Sequence, residues 1–271
     1  MKFSMTIPVQ YDTCFSPFRA SEWRQGLSKI REGGFQAAEL CISDYGSLDI
    51  REIRRELENC GLGCSTISTG QAAGREQLSL TGDREKMELA RARLSEHIRA
   101  AEILECGVTI GLLRGSGEAG SLQDALERLA EGLEPVVREA EEKGVVLFLE
   151  ALNRYESALL NTGKEILDFF AGYYRGCRNL KVLWDSFHAN IEEASLEKSI
   201  DSLGSSLGHV HLADSNRLRP GLGRIDFSAV KGSLERISYG GYVSFECLNG
   251  PDEKTVWDDL CRFRREWEKP A

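Results

Sequence analysis

Short runs of β-branched and aromatic residues alternate with longer amphipathic stretches from one end of the chain to the other. Short apolar runs bounded by glycine or polar clusters read as strands, and apolar positions recurring every three to four residues read as helices. On that pattern Lys2–Ile7 is a first strand, followed by a helix near Ser21–Glu32. Phe35–Leu40, after the Gly33–Gly34 pair, is the second, with Leu48–Asn59 as its helix. Cys64–Ser68 is the third, and the amphipathic stretch Asp83–Cys106 follows a polar loop. Val108–Leu113 is the fourth, with a helix over Ser121–Lys143 that Ser121 and Asp124 cap at its start. Val145–Leu149 is the fifth, its helix beginning near Thr162. Leu180–Trp184, Leu207–Leu212 and Tyr242–Cys247 complete the strands, and a last helix covers roughly Asp252–Trp267.

Eight strands alternating with helices, and no low-complexity linker, predict an α/β fold: a (β/α)₈ barrel occupying residues 1–271 as a single domain. The competing fold is a doubly wound open sheet, since periodicity does not show closure. That sheet concentrates its site at one switch point, usually with a glycine-rich phosphate turn after the first strand. The segment PVQYDTCFSP has no such turn, and the candidate site residues spread over strands five to eight. Both points favour the barrel.

The chain of 271 residues, 41% hydrophobic and 28% charged, is long enough to bury a core without staples. A net charge of −9, from 34 basic and 43 acidic residues, argues against a nucleic-acid groove or an anionic membrane surface. The eight cysteines (14, 41, 60, 64, 106, 177, 247 and 261) form no CxxC pair, and several lie in apolar runs where a free thiol acts as a small hydrophobe. The N-terminal run MKFSMTIPVQ is too short for a secretory signal and no stretch reaches membrane length, so a cytoplasmic location is expected.

Four of the strand runs end in an acid or an imidazole: Glu150 closes VVLFLE, Asp185 closes LKVLWD, His211 lies in GHVHL and Glu246 in YVSFEC. Charge at the carboxyl end of a barrel strand reads as chemistry rather than stability. Burying three carboxylates and an imidazole together is expensive unless a cation holds them. The expected cofactor is therefore one divalent metal ion, Mn²⁺ first and Co²⁺ or Mg²⁺ after it, because an oxygen-rich set with one imidazole differs from a structural zinc site. His209 and His211 alternate onto the same face of their strand, which makes His209 a lower-layer histidine held by hydrogen bonds.

Two glutamates beside a metal in a barrel mouth suit chemistry next to a carbonyl. The metal polarises the carbonyl and its neighbouring hydroxyl and stabilises an enediolate. One carboxylate removes the α proton on one face and a second returns a proton on the other, inverting the carbon. Glu150 and Glu246, on strands five and eight, are placed for that pair of roles.

The segments LEALNRYESALLNT, WDSFHANIEE, HVHLADSNRLRPGLGRIDF and VSFECL resemble the xylose-isomerase-like barrel superfamily of sugar isomerases and epimerases. Within it the pattern is similar to ketose 3-epimerases of the tagatose/psicose type. In the first half STGQA (68–72), LSLT (78–81) and IGLLRG (110–115) resemble the 5-keto-L-gluconate epimerase branch, which interconverts that keto-uronate with D-tagaturonate. The resemblance implies that Glu150, Asp185, His211 and Glu246 bind the metal and that Glu150 and Glu246 form the acid/base pair. It further implies that Glu156, His188 and Arg217 hold the substrate's carbonyl end and hydroxyls. The expected partner is a small keto-sugar or keto-uronate, with homo-oligomer formation left open. His188, three residues past Asp185, can donate from the following loop, and a guanidinium at Arg217 is a natural oxygen clamp.

Arg114, closing IGLLR, is open to two readings: a bidentate partner for a substrate carboxylate or phosphate, or a partner for an acid of a neighbouring loop. The first is carried forward as a substrate contact. Glu39, at the end of strand two, reads as a substrate contact or as the partner of a barrel-mouth arginine, the second being the favoured reading. Competing activities on the same scaffold are an aldose–ketose isomerase, such as hydroxypyruvate isomerase, and an inosose dehydratase. A repair endonuclease of the superfamily needs more than this chain's four histidines. A sugar-binding barrel that has lost catalysis is the competitor of another class, and it would usually lack one of the ligands, all of which are present.

Overall fold

The chain's architecture was obtained as a computed structural model, which describes residues 1–117, 120–250 and 255–269. Eight parallel strands close on themselves in sequence order. They are β1 (Lys2–Pro8), β2 (Ala37–Cys41), β3 (Gly63–Ser68), β4 (Gly107–Ile110), β5 (Leu147–Glu150), β6 (Leu180–Asp185), β7 (Leu207–Leu212) and β8 (Tyr242–Phe245). Helices separate successive strands, so the (β/α)₈ barrel expected from the pattern is the fold.

Alternation along the strands decides what lies inside and outside. On β1, Phe3, Met5 and Ile7 face the helices, while Ser4 reaches across the barrel to Ser65 (2.8 Å) and Ser244 (2.5 Å). On β8, Phe245 packs outward at 5.8 Å from Phe3 and edge-on to Phe263, sealing the last helix, Val256–Trp267, over the first and last strands. The barrel interior is mostly small and polar, with Ser4, Thr6, Thr66, Thr109, Glu39, His209 and His211 all buried. Such interiors are ordinarily filled by branched apolar residues. A polar interior needs its own hydrogen bonds, and these residues supply them to one another, as in the 3.0 Å contact of Thr66 with Thr109.

The differences from the sequence reading lie at element ends. The third loop holds an additional helix, Gly70–Glu76, before the long Arg84–Leu104 helix, and β6 is followed by two helices, Ser186–Glu192 and Leu196–Leu203. Ser121 and Asp124 form the expected reciprocal cap. The start expected for the last helix, at Asp252, lies outside the described residues. All eight cysteines are free. No helix among the described residues is long and apolar enough to cross a membrane.

The fourth strand corrects an expectation. The apolar pattern runs to Leu113, yet β4 stops at Ile110, because the chain turns at Gly111 (φ −99°, ψ −113°) into a short 3₁₀ turn, Leu112–Arg114. A side chain at Gly111 would bring its Cβ to 2.5 Å from Glu150 Oε2, so glycine there leaves the Glu150 carboxylate its place. The turn carries Arg114 off the strand direction and into the wall of the barrel.

Candidate active site

Glu150 ends β5, Asp185 ends β6, His211 lies near the end of β7, and Glu246 follows β8. One ligating atom from each converges so that all four lie within 4.8 Å of one another. The register explains it: Asp185 is the neighbour of His211, and His211 of Ser244, two residues before Glu246. His211 Nδ1 lies 3.6 Å from Glu246 Oε2 and 3.9 Å from both Glu150 Oε1 and Asp185 Oδ2. Asp185 is fixed by a second task. Its Oδ1 accepts the backbone N–H groups of Phe187 (2.7 Å) and His188 (3.0 Å), capping the following helix and leaving Oδ2 toward the imidazole.

The electrostatics show a cluster short of positive charge. Burial, and then the charge of Glu246, pushes the Glu150 carboxyl well above its usual range. Burial raises Asp185 to about 6. Burial works against a charged His211, but the Glu39 and Glu246 carboxylates outweigh it and hold the imidazole well above its usual value. Glu150 Oε1 and His211 Nδ1 are buried with no hydrogen-bond partner. Three carboxylates and one imidazole aimed at a common point, with two of their buried atoms unpartnered, fit a divalent cation of the Mn²⁺, Mg²⁺ or Co²⁺ type.

His188, Glu156 and Arg217 border the same cavity, of about 210 Å³. Asn153 donates to His188 Nδ1 from its backbone (3.3 Å) and its side-chain amide (2.7 Å). Nδ1 is thus an acceptor, and the ring N–H sits at Nε2, 3.7 Å from Glu150 Oε1. Burial, and then the Arg217 charge, depresses His188 to about 2, which keeps the ring neutral. Arg217 stands at φ +61°, its guanidinium over Phe15 (4.7 Å) and Phe187 (5.0 Å) and bound to Glu156 Oε1 (2.5 Å). Its backbone N–H bonds the Asp214 carbonyl and its carbonyl accepts from Leu248, which pins the loop after β7 against β8.

Two sequence assignments are corrected here. Arg114 is wholly buried and does not line the cavity. Its guanidinium donates to the backbone carbonyls of Glu150 (2.5 Å) and Leu160 (3.4 Å), behind the strand that carries Glu150. Among the described residues its hydrogen bonds go to these backbone carbonyls and to no acid side chain. Glu39 does not pair with an arginine either: its carboxylate binds His209 (3.0 Å) and His211 (3.1 Å) inside the barrel. Sequence reasoning passed over Asn153, which sets the His188 ring, and Phe15 and Gln71, which line the cavity. Gln71 donates its amide to the Tyr11 carbonyl, leaving its Oε1 buried and unpartnered at the wall. Its only signal was its place inside STGQA.

Residues 27–267 match the model of the family described as xylose isomerase-like TIM barrel. The L-ribulose 3-epimerase of Mesorhizobium japonicum is 33% identical over 244 residues, covering 84% of this chain and 76% of that one. The D-psicose 3-epimerase of Ruminiclostridium cellulolyticum is 30% identical over 234 residues, covering 83% and 78%. Among solved structures, an L-ribulose 3-epimerase superposes with a TM-score of 0.84 at 27% identity, covering 98% of this chain and 94% of that one.

Proposed function

The chain belongs to the xylose isomerase-like TIM barrel family, among its sugar ketose epimerases, and from that premise we propose that it inverts C3 of a ketose by a divalent-metal-dependent, two-carboxylate proton transfer. The observation that carries this reading is the convergence of Glu150, Asp185, His211 and Glu246 within 4.8 Å, with Glu150 Oε1 and His211 Nδ1 unpartnered. These four residues would hold the ion. When bound, it supplies Lewis-acid polarisation of the ketone and the adjacent hydroxyl.

The protein's own groups do the rest. One of the two glutamates, as carboxylate, takes the C3 proton on one face of the substrate, and the other, protonated, delivers a proton to the opposite face. The carbon inverts with no net change in oxidation state, and the pair resets when the first glutamate releases its new proton to solvent and the second takes one up. The His188 Nε2–H, held in that tautomer by Asn153, donates to a substrate oxygen beside Glu150. Glu156 and Arg217, bound to each other, present an acceptor and a donor to hydroxyls at the carbonyl end.

A neutral ketose is the first substrate class, because the basic side chain that lines the cavity, Arg217, is already engaged by Glu156 and approaches Glu246 (3.9 Å). A keto-uronate, in the 5-keto-L-gluconate/D-tagaturonate pair, is the second reading, favoured by Ser68, Gly70 and Gln71 of the STGQA segment lining the cavity. Mn²⁺-loaded protein incubated with neutral ketoses, ketose phosphates and keto-uronates, with products read by NMR, decides between them. Inversion of no member of the panel would overturn the proposal.

A further inference from the structure

Glu39 is a fully buried carboxylate in the middle of an otherwise apolar strand, AAELC. Its surroundings are asymmetric. Oε2 lies 3.0 Å from His209 Nε2, and both oxygens lie 3.1 Å from His211 Nε2. The opposite nitrogen of His211, Nδ1, faces Glu150, Asp185 and Glu246 and has no hydrogen-bond partner. The two ring nitrogens of His211 therefore look into different environments, one of which is Glu39.

A carboxylate held by two imidazole nitrogens accepts hydrogen bonds and donates none. With an ion at the cluster, His211 would then keep its ring proton at Nε2, on Glu39, and turn its Nδ1 lone pair to the side of the three carboxylates. An isolated carboxylate in a barrel interior is costly, and an apolar residue of similar volume would serve packing better. A device that fixes the tautomer and adds negative charge behind a metal-bound ring accounts for the residue.

We infer that Glu39 is a positioning residue for the metal site: through His211 Nε2–H it selects the tautomer that presents Nδ1 to the ion and strengthens that nitrogen as a donor. The inference rests on the metal-dependent reading above. Glu39, His209 and His211 also lie close enough to be weighed as a second cation site, but their facing atoms are already joined by hydrogen bonds, which argues for support of one ion rather than for two.

The test is calorimetric titration of Co²⁺ into chelator-stripped full-length protein and its Glu39→Gln variant, with circular dichroism confirming the fold. One ion per chain is expected, with the dissociation constant raised roughly 10–100-fold in Glu39→Gln. In Co²⁺-loaded wild-type protein, proton NMR should show a hyperfine-shifted ring N–H that exchanges slowly in D₂O and is absent from His211→Ala. That measurement decides the matter if Glu39→Gln does not fold. Equal Co²⁺ affinity in a folded Glu39→Gln, two ions per wild-type chain, or no exchange-protected ring N–H would overturn the inference alone. No Co²⁺ binding by the wild-type protein would overturn the functional reading on which it depends.

Discussion

Asn153 fixes His188: two N–H groups of one residue converge on Nδ1, at 2.7 and 3.3 Å, and so the histidine's proton is placed at Nε2, facing Glu150. Asn153 lies three residues beyond Glu150, in the same loop that sends Glu156 to Arg217. One loop therefore orients both a donor and a clamp.

Asn153→Leu should uncouple the two. Loss of the side-chain amide, the shorter of the two donors to the buried Nδ1, costs about 0.5–1.5 kcal/mol, so kcat/KM is expected to fall roughly two- to tenfold, with metal content unchanged. ¹⁵N shifts of labelled His188 should move from one tautomer toward a mixture. A variant with wild-type kcat/KM would show that the His188 tautomer plays no part.

Metal removal is the simplest check on the cluster. Dialysis against a chelator should abolish activity, and Mn²⁺ or Co²⁺ should restore it. The same ions should raise the melting temperature in a concentration-dependent way, since a ligand that binds only the folded state stabilises it by mass action. Full turnover by metal-stripped protein would rule out the assignment.

The two-carboxylate transfer predicts isotope behaviour. In D₂O the inverted carbon should acquire deuterium, because the abstracted proton exchanges with solvent on the carboxyl groups, whereas a hydride shift retains the substrate hydrogen. Glu150→Gln and Glu246→Gln should each lower turnover by about 10² or more, with metal loading measured beside the rate. Near-normal turnover in either variant defeats the mechanism.

His97, outside the site, gives a pH signature of folding. It is fully buried against Tyr45, whose hydroxyl lies 2.6 Å from Nδ1, and burial, with Arg93 adding to it, depresses its pKa to about 3. Its folded value lies below the unfolded value of about 6.5, so the unfolded state takes up the proton first as pH falls. The stability it contributes is complete above pH ~6.5 and is lost progressively toward pH ~3. Urea unfolding at pH 7.5 and 5.0, both with chelator, should show the wild type losing about 2 kcal/mol more than His97→Phe over that interval. An equal loss in both proteins would show that His97 is not held neutral.

The positions of the clustered acids were legible in the sequence for a physical reason. A parallel strand buried on both faces is apolar throughout, so an acid at its end, as in VVLFLE or LKVLWD, breaks the pattern visibly. The barrel followed from the alternation of strands and helices. What the pattern could not carry was direction beyond the last paired residue. IGLLR looks like three more residues of strand, yet the chain turns at Gly111 and takes Arg114 away from the mouth. Glu39 was misassigned because its partners, His209 and His211, lie across the barrel and 170 or more residues away in sequence. Asn153 carries no periodicity signal at all, since its role is defined by a ring on the helix that follows the next strand.

Arg114 now predicts the opposite of a carboxylate reader. Its guanidinium ties the carbonyl of Glu150 to that of Leu160, which stands at φ +54°, and so clamps the start and end of the loop that holds Asn153 and Glu156. A hydrogen bond to a charged group contributes about 1.5–3 kcal/mol, so Arg114→Met should lower the melting temperature by roughly 3–10 °C. Activity should fall by a similar factor on neutral ketoses and on keto-uronates, because the loop it supports serves both. Steady-state kinetics on one substrate of each class provides the comparison. A selective loss on the uronate, with the neutral ketose unaffected, would return Arg114 to the role of reading an acid and displace the clamp.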